Sequence, residues 1–579
     1  FIDYILLNWD ILHFCHENDI PTGPGRGSAA GCLVLYLIDV TQVDPIKYDL
    51  FFERFVSKSR ARKIERNGEI FLDGSLLADV DNDIAYERRA EVIDYIKRKH
   101  PNRTCKILTL NTLSGKLCIK ECGKIVGNYS EQDVNEVSDS IPKRFGKVAP
   151  LKEAYEESEK FKNWVDENQD IFAVARKLEG LNKNTGVHPS GIAISFYPLD
   201  EICPLQQTND GDLVSGYDMN WVAELMVKFD ILGLRTLSVI YDVCKQLKSF
   251  DIYNVDLDDK KMYEPLRNNF SQPQGLFQIE AFTNFSVCKK IKPRNLEELS
   301  AVVAIARPGA LEFADEYSEY VKTGEFQSVH PIFDEILDYT GGIPLYQEQL
   351  MKFGGEIAWK HFEHLDRLVI VDKLRKGIGK KNAKLISDLK QKFIDGCVHN
   401  GRTVDFSEKL FDIIEKAGRY AFNDAHAKKY ALWSYRTAYA KANFPLEFYC
   451  TYLTYSRLRQ KPKEEIRNLV NEARMLSIKI DAPSLKNLTE EFQISEDKKS
   501  IHFGLSHIKQ VSHNDLKVLN DNPEMLSSLG DFFKLHFDKV GFDKRIRSAC
   551  VESLIKSGSC DFFGLSRSSM LEGFSVLRG

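Results

Sequence analysis

The stretch "DVDND" (residues 79–83) places Asp79, Asp81 and Asp83 at alternating positions. Asp and Asn are common in turns, so a solvated loop is one interpretation. The alternative is a β-strand, because residues i and i+2 of a strand present their side chains on one face. Carboxylates grouped in that way are suitable ligands for divalent cations. The stretch alone leaves both interpretations open, and the rest of the chain has to separate them.

A second segment, "VKFDILGL" (residues 227–234), has the alternation of a half-buried strand. Val227 and Phe229 would face the core, and Lys228 and Asp230 would stand together on the opposite face. A surface ion pair on an edge strand explains this octapeptide as well as a site does.

The glycine-rich stretch "GPGRGSAAG" (residues 23–31) leads into an apolar segment. Its glycines permit positive φ and a close approach of the backbone to a ligand. Ser28 could cap a following helix, and exposed N–H groups beside Arg26 would form an anion site. The stretch matches neither the P-loop nor the dinucleotide-binding pattern, and a plain turn is an equally good interpretation.

The second half of the chain reads as successive helices and carries two cationic segments. "DKLRKGIGKK" (residues 372–381) is either a solvated helix face or a phosphate-contacting surface. "YAFNDAHAKKYALWSY" (residues 420–435) interleaves aromatic and cationic residues, which can stack on bases and neutralise phosphate. Aromatic residues at helical spacing are more often part of a core.

The totals of the whole chain set limits on these interpretations. A chain of 579 residues, with 43% hydrophobic and 28% charged residues, is expected to form a few globular domains. A net charge of −5 does not exclude a local nucleic-acid-binding surface. No apolar run is long enough to span a membrane. Twelve cysteines without a C-x-x-C pair predict reduced thiols. The start at Phe1 suggests a piece of a larger polypeptide or a processed product. The predicted fold class is α/β, with a large helical portion.

These segments and others along the chain occur in an order that resembles a known family. The chain resembles the catalytic α subunit of bacterial DNA polymerase III, a C-family replicative polymerase, from near residue 1 to about residue 570. The further segments that carry the resemblance are "LFFERF" (50–55), "NTGVHPSGIAIS" (184–195), "LFQIE" (276–280), "ARPGA" (306–310), "LYQEQLM" (345–351) and the "FNDAHAKKYALWSY" portion (422–435) of the aromatic segment.

The resemblance implies a fold and a division into domains. It implies a polymerase-β-like nucleotidyltransferase palm, an inserted helical thumb and a large, mostly α-helical fingers domain. The implied boundaries are palm 1–109 and 188–235, thumb 110–187, fingers 236–495, and a helix-hairpin-helix-like, incomplete tail 496–579.

The resemblance also implies residue roles. The catalytic and metal-binding residues would be Asp79, Asp81 and Asp230, which would hold two Mg²⁺ ions, with Asp83 in support. The predicted nucleotide and phosphate contacts are Gly27, Ser28, Arg54, Lys228, Arg307, Arg375, Lys376, Lys380, Lys381, Asn423 and His426, with Arg60 as a further source of positive charge.

The sequence departs from the family pattern at several places. Ala78 stands where the family has proline, and Ile84 where it has phenylalanine. Gly216 replaces the family's glutamine before Tyr217 and Asp218, which affects one substrate-pocket contact. The extra stretch "KIERNGEIFLDGSLL" (63–77) predicts a longer loop near the acids. Gln510 and Ser512 replace hairpin glycines in "HIKQVSHND", which argues against duplex binding by the tail.

The function implied by the resemblance is template-directed addition of dNMP to a primer 3′-OH in DNA replication. The implied partners are primed template DNA, dNTPs, and a sliding clamp or other replisome proteins bound through regions missing from this chain. The implied location is the cytoplasm of a bacterium or a phage-infected host. One alternative is a non-catalytic or split DNA-binding component of a replisome that needs a partner chain. A second alternative is a template-independent nucleotidyltransferase.

Overall fold

The protein has a mixed α/β architecture in which one six-stranded sheet is joined to extensive helical regions. The computed structural model describes residues 2–25, 27–56, 63–72, 80–144, 147–248, 250–328, 330–379, 383–458, 461–537 and 545–578. The α/β prediction is confirmed at this level. In the described residues no helix is both long and apolar enough to cross a membrane. All twelve cysteines are free thiols.

Four separate sheets are formed by the strands of the described residues. In chain order the strands are β1 Lys63–Arg66, β2 Glu69–Leu72, β3 Asp81–Ala85, β4 Thr104–Thr112, β5 Lys143–Arg144, β6 Lys147–Val148, β7 Asn182–Ile194, β8 Leu205–Gln207, β9 Leu213–Asp218, β10 Val227–Leu234, β11 Lys479–Ile480, β12 Gln493–Ile494 and β13 Ser500–His502.

The central sheet has the strand order β3-β10-β7-β4-β9-β8. Strand β10 runs parallel to β3 and antiparallel to β7, so strands distant in sequence become neighbours. The predicted alternation of β10 is confirmed, because Phe229 and Ile231 are fully buried while Lys228 and Asp230 pair with each other. The strand interpretation of the acidic stretch is also confirmed from Asp81 onward.

The helices of the described residues account for most of the chain. They are α1 Ile2–Glu17, α2 Leu33–Leu37, α3 Arg89–Lys99, α4 Gly115–Ile125, α5 Glu131–Asp139, α6 Leu151–Glu157, α7 Glu159–Glu167, α8 Gln169–Leu178, α9 Leu199–Ile202, α10 Met219–Leu225, α11 Arg235–Leu247, α12 Phe282–Ile291, α13 Leu296–Ile305, α14 Ala314–Thr323, α15 Pro331–Leu337, α16 Gln347–Phe353, α17 His364–Gly379, α18 Ala383–His399, α19 Val404–Gly418, α20 Asp424–Asn443, α21 Pro445–Tyr455, α22 Pro462–Met475, α23 His513–Asp521, α24 Leu529–Phe537, α25 Ser548–Ser557 and α26 Arg567–Arg578.

Helices α4 to α8 lie between strands β4 and β7 in the chain and have a core of their own. Cys118, Ile119, Leu151 and Phe161 are fully buried in this core, away from the central sheet. This part of the chain is therefore mainly helical and is inserted between two strands of the central sheet.

Helix α20 is the central helix of the region that follows the sheet. Its residues Ala427, Ala431 and Tyr435 pack in one core with α13, and Trp433 packs in a second core with α11 and α21. The aromatic residues of this helix are thus mainly core residues, as the more ordinary interpretation of the sequence held. Helix α22 ends at Met475 and strands β11 to β13 follow, so the last part of the segment 236–495 is not helical.

The extra stretch before the acids forms a β-hairpin over residues 63–72, where the sequence predicted a loop. Strands β1 and β2 pair antiparallel from Lys63–Leu72 to Arg66–Glu69. Asn67 and Gly68 both adopt positive φ between them. An Asn-Gly pair between two extended runs favours a tight hairpin turn. The loop prediction did not take this signal into account.

In the tail, helices α23 to α26 pack around a core that includes Leu519, Phe532 and Leu554. Gln510 adopts a positive φ of 71° at the position where the sequence lacks a hairpin glycine. Ser512 caps α23 by accepting a hydrogen bond from the Asp515 N–H. The left-handed backbone conformation that glycine favours is therefore present at Gln510 without a glycine.

Candidate functional site

Asp81 and Asp230 lie side by side on neighbouring strands. The parallel register of β3 and β10 pairs these two residues directly. Oδ2 of Asp230 lies 2.8 Å from Nζ of Lys228, whereas its Oδ1 is buried and has no hydrogen-bond partner in the described structure. A buried carboxylate oxygen without a partner is unfavourable unless a cation or donor fills the position. The pair therefore has the donor chemistry of an oxygen-ligated cation site.

The predicted third acid, Asp79, lies outside the described residues, as does Arg60. Within the described ranges no group of three or more His, Cys, Asp or Glu residues is arranged to hold a metal ion. The described part of the site thus supplies two of the three predicted ligands.

His188 lies beside this acid pair and was not among the predicted site residues. Its Nδ1 accepts hydrogen bonds from the N–H groups of Ser190 and Gly191, and Gly191 pairs with Asp230 across the sheet. Burial lowers the pKa of His188 and nearby Lys228 lowers it further, while Asp230 opposes both effects. A neutral imidazole is therefore favoured next to the acids. The "VHPSG" segment was the available signal for it.

The glycine-rich turn wraps around the acidic strand. The Gly23 N–H donates to the Asp83 carbonyl at 2.9 Å. Gly25 has a φ of +74°, and a Cβ at this position would lie 2.9 Å from the Asp81 carbonyl oxygen. Both the conformation and the contact require glycine there. Gly27 also has positive φ, and Arg26 lies outside the described residues.

The structure changes two expectations about this turn, namely the capping role of Ser28 and the exposed N–H groups of an anion site. Ser28 does not cap α2: the N-cap position is Cys32, which makes no side-chain capping bond, and Ser28 lies inside a short 3₁₀ turn. The Gly27 N–H already donates to Nδ1 of His426 at 2.8 Å. That hydrogen bond fixes the His426 ring with Nδ1 as acceptor and connects the turn to helix α20.

A cavity of about 850 Å³ opens next to the turn. It brings together six of the residues predicted to contact nucleotide or phosphate, although they are up to 399 positions apart. The complete lining is Gly27, Ser28, Arg54, Arg307, Pro308, Gln347, Gly418, Arg419, Tyr420, Ala421, Phe422, Asn423 and His426. This volume and its cationic lining suit a nucleotide-sized anionic ligand.

The arginines of this cavity are held by specific partners. Arg54 donates from Nη2 to Oε1 of Gln347 at 3.2 Å. The Arg307 guanidinium stacks on the Phe422 ring, 3.5 Å from its centroid. Burial lowers the pKa of Arg307, but an arginine remains charged at neutral pH. Arg419, which sequence reasoning missed, adds a third guanidinium and pairs with Glu415.

The Asn423 side chain is engaged within the protein at both ends. Its Oδ1 accepts from the His426 N–H at 2.7 Å and caps α20, and its Nδ2 donates to Oε1 of Glu348 at 2.7 Å. The other oxygen of Glu348 accepts from the Asp424 N–H. Burial raises the pKa of Glu348, and nearby Asp424 raises it further. The structure thus gives Asn423 and Glu348, the latter missed from "LYQEQLM", the role of positioning the cavity wall.

Two further predicted phosphate contacts, Arg375 and Lys376, do not line the cavity. Arg375 and Lys376 both pair with Asp372 on their own helix, α17, at 2.8 and 2.7 Å. The Arg375 side chain is only 15% exposed, whereas that of Lys376 is 44% exposed, and the role of both in phosphate binding stays a prediction. Lys380 and Lys381 lie outside the described residues.

Three family models match the chain. Residues 1–233 match the model described as "Bacterial DNA polymerase III alpha NTPase domain", and residues 236–401 match "Bacterial DNA polymerase III alpha subunit finger domain". Over these two segments the chain is similar to bacterial DNA polymerase III α subunits. Residues 477–570 match a helix-hairpin-helix motif, whose start precedes the predicted tail.

Curated relatives named DNA polymerase III subunit alpha align along nearly the whole chain. The protein from Thermus aquaticus is 31% identical over 97% of this chain and 45% of its own length. The Buchnera aphidicola protein is 32% identical over 99% of this chain and 49% of its own length, and the Staphylococcus aureus (strain COL) protein is 32% identical over 100% and 52%. The chain therefore spans about half the length of these polymerase III relatives.

Proposed function

We propose that this chain is the polymerase core of a replicative DNA polymerase, a DNA-directed nucleotidyltransferase that adds dNMP to a primer 3′-OH on a DNA template. In this proposal the central sheet is the palm (1–109 and 188–235), and the inserted helices are the thumb (110–187). The helical region is the fingers (236–495), followed by a helix-hairpin-helix tail (496–579). The two matching family models and the polymerase names of the relatives support it.

One observation carries the proposal. Asp81 and Asp230 are paired in register on neighbouring strands, and the glycine-rich turn connects them to the arginine-lined cavity. A polymerase needs paired carboxylates beside a site that holds a triphosphate, and these two features meet at Gly25 and Gly27.

The donor set of the acid pair suits Mg²⁺, which prefers carboxylate oxygens, and the unpartnered Oδ1 of Asp230 supports this assignment. Asp81 and Asp230, with Asp79 as the predicted third ligand, would hold it. When bound there, Mg²⁺ supplies charge neutralisation at the phosphates and favours ionisation of the primer 3′-OH.

The residues of the chain have distinct roles in this scheme. Lys228, held by Asp230, offers a cation to the triphosphate or the primer end. Arg307 and Arg54 would bind the phosphates of the incoming nucleotide by charge-assisted hydrogen bonds. His426, with Nδ1 occupied by the Gly27 N–H, can donate from Nε2 towards the nucleotide. Base selection would come from pairing with the template rather than from protein contacts to base edges.

The test is primer extension on a primed template with Mg²⁺ and dNTPs. Wild type, Asp81→Asn and Asp230→Asn are compared with Asp94→Asn, which removes an exposed carboxylate on α3 that lies away from the acid pair. We expect extension by wild type and the control, and a loss of at least 1,000-fold in both site variants, with DNA binding retained. Extension that continues in either site variant, or that proceeds without template, contradicts the proposal.

The half-length match to the relatives favours one second candidate, a DNA-binding component that needs a partner chain for activity. Wild-type protein that binds primed DNA but does not extend it would support this candidate. Restoration of extension by an added chain, and its loss again with Asp230→Asn, would then assign the acids to a shared active site.

A further inference from the structure

Two adjacent lysines of α20, Lys428 and Lys429, are both completely buried but face different partners. Lys428 pairs with Glu297 and, at 3.0 Å, with Asp424, all within the helical region. Lys429 instead reaches across to the sheet domain. Its Nζ would lie 3.4 Å from a Cβ at Gly25, on the same glycine whose Cβ position lies against the Asp81 carbonyl.

The charges around Lys429 belong to the acidic strand. Burial lowers the pKa of Lys429 to about 8, and the carboxylates of Asp83 and then Asp81 oppose that decrease. Asp83 is itself almost completely buried, with 2% of its surface exposed. A buried carboxylate needs a positive charge or a hydrogen-bond donor beside it, and a buried ammonium needs a negative charge or an acceptor. The opposite charges of Asp83 and Lys429 therefore compensate each other within the interior.

Asp83 lies two residues beyond Asp81 on β3, opposite Leu232 rather than Asp230. On sequence grounds it could serve as a further metal ligand, because it shares a strand face with Asp81. The position of Lys429 beside Gly25 favours a different role, since a carboxylate whose charge is opposed by a nearby buried ammonium is a poorer ligand for a cation. We propose that the Lys429 ammonium keeps Asp83 from acting as a metal ligand. As a positive charge fixed beside Asp81, it also sets the affinity of the acidic strands for divalent cations.

This inference rests on the proposed function, since it assigns Asp81 to the cation site. It makes Lys429 a positioning residue carried by the helix whose His426 also holds the glycine-rich turn. Electrostatics gives the sign of each change. Removing the ammonium leaves the acids more negative and strengthens cation binding, whereas removing the Asp83 charge leaves the ammonium unopposed and weakens it. Removing both returns the local charge to its original value.

The test uses Lys429→Met, Asp83→Asn and the double variant, with Lys428→Met as the matched control of equal burial on the same helix. Mn²⁺ binding to each full chain is measured by electron paramagnetic resonance without DNA or nucleotide. The Mg²⁺ concentration for half-maximal primer extension is measured in parallel. Urea unfolding of each variant establishes that it is folded under the assay conditions.

We expect Lys429→Met to bind Mn²⁺ at least threefold more tightly, Asp83→Asn at least threefold more weakly, and the double variant within twofold of wild type. Lys428→Met should lower stability without changing Mn²⁺ affinity. Weak binding that persists in the double variant would make Asp83 a metal ligand and overturn the inference, as would equal effects of the two lysine variants. Wild-type protein that binds Mn²⁺ in this pattern but extends no primer would contradict the proposed function alone.

Discussion

Replacing Phe422 by leucine should weaken nucleotide binding although Phe422 need not touch the nucleotide. The Arg307 side chain is exposed, and its guanidinium lies 3.5 Å from the centroid of the half-buried Phe422 ring, close enough for a cation–π interaction. The ring orients the guanidinium towards the cavity and leaves its N–H groups available for phosphate. Loss of the ring leaves the charge of Arg307 in place but no longer fixes the orientation of its guanidinium.

The magnitudes follow from these contacts. A cation–π pair at a partly desolvated site contributes about 0.5–2 kcal/mol, which corresponds to a rise of roughly two- to thirtyfold in KM for dNTP. A hydrogen bond to a charged group contributes about 1.5–3 kcal/mol, so Arg307→Ala should raise KM by roughly ten- to 150-fold. Because Phe422 acts through Arg307, the double variant should resemble Arg307→Ala within about twofold.

The assay is single-nucleotide incorporation on primed DNA, with kcat and KM for dNTP measured separately. Both changes should appear mainly in KM, as expected when an interaction contributes equally to the ground state and the transition state. Arg402→Ala removes the same charge from an exposed position of the helical region and should leave KM unchanged. Fully additive effects of Phe422→Leu and Arg307→Ala would refute the reasoning.

Three further predictions follow from the contacts. Lys441 and Glu472 form a buried ion pair at 2.6 Å, so Lys441→Met or Glu472→Leu alone should lower the free energy of unfolding by about 3–5 kcal/mol and both together by much less, measured in urea. Burial raises the pKa of Asp515, but its hydrogen bonds with Arg547 and other donors lower it overall. The stabilisation of the folded state by ionised Asp515 exists above the unfolded pKa of about 3.9 and is lost as pH falls through the lower folded value. The stability difference between wild type and Arg547→Ala should therefore shrink below about pH 4, measured by circular dichroism. Gly25→Ala should abolish primer extension in a folded protein, because it combines positive φ with a contact of 2.9 Å to the acidic strand.

Each of these predictions has a control or a contradicting result. Gly68→Ala places the same strain at a φ of +80° with open space around it, and primer extension should survive there. Additive losses at Lys441 and Glu472 would mean that the two residues do not act as a pair. A stability difference for Arg547→Ala that stays constant from pH 7 to pH 3 would mean that Asp515 is not the group involved.

The strand assignments were predictable because their signals are local. Alternation in "VKFDILGL" fixes which side chains of β10 are buried, and strands β3 and β10 then need only a parallel register to bring Asp81 and Asp230 together. The hairpin at 63–72 was equally local and was missed only because the Asn-Gly turn signal was passed over. The capping role of Ser28 was mispredicted because the chain continues as a 3₁₀ turn and begins α2 five residues later, at Leu33.

The cavity is a different case, since its walls come from segments that no local pattern connects. Arg54 depends on Gln347, and Asn423 depends on Glu348, across separations of 293 and 75 residues. A charge count also cannot distinguish Arg307, which faces the cavity, from Arg375, whose charge is paired with Asp372 on its own helix. Only the packing of α16 against the start of α20 decides which polar groups line the cavity and which hold it together.

The position of α20 has a consequence for how the two halves of the site depend on each other. Its first turn is held by Glu348 at the cavity wall, its next residues place His426 against the Gly27 N–H, and Lys429 then meets the acidic strand. A rigid helix transmits a displacement at one end to the other, because its hydrogen-bonded turns resist bending. A movement of the cavity wall on nucleotide binding would therefore also move the ammonium beside Asp81 and Asp83. Nucleotide and cation binding should accordingly be coupled through one helix, and by thermodynamic linkage each should change the affinity for the other by the same factor.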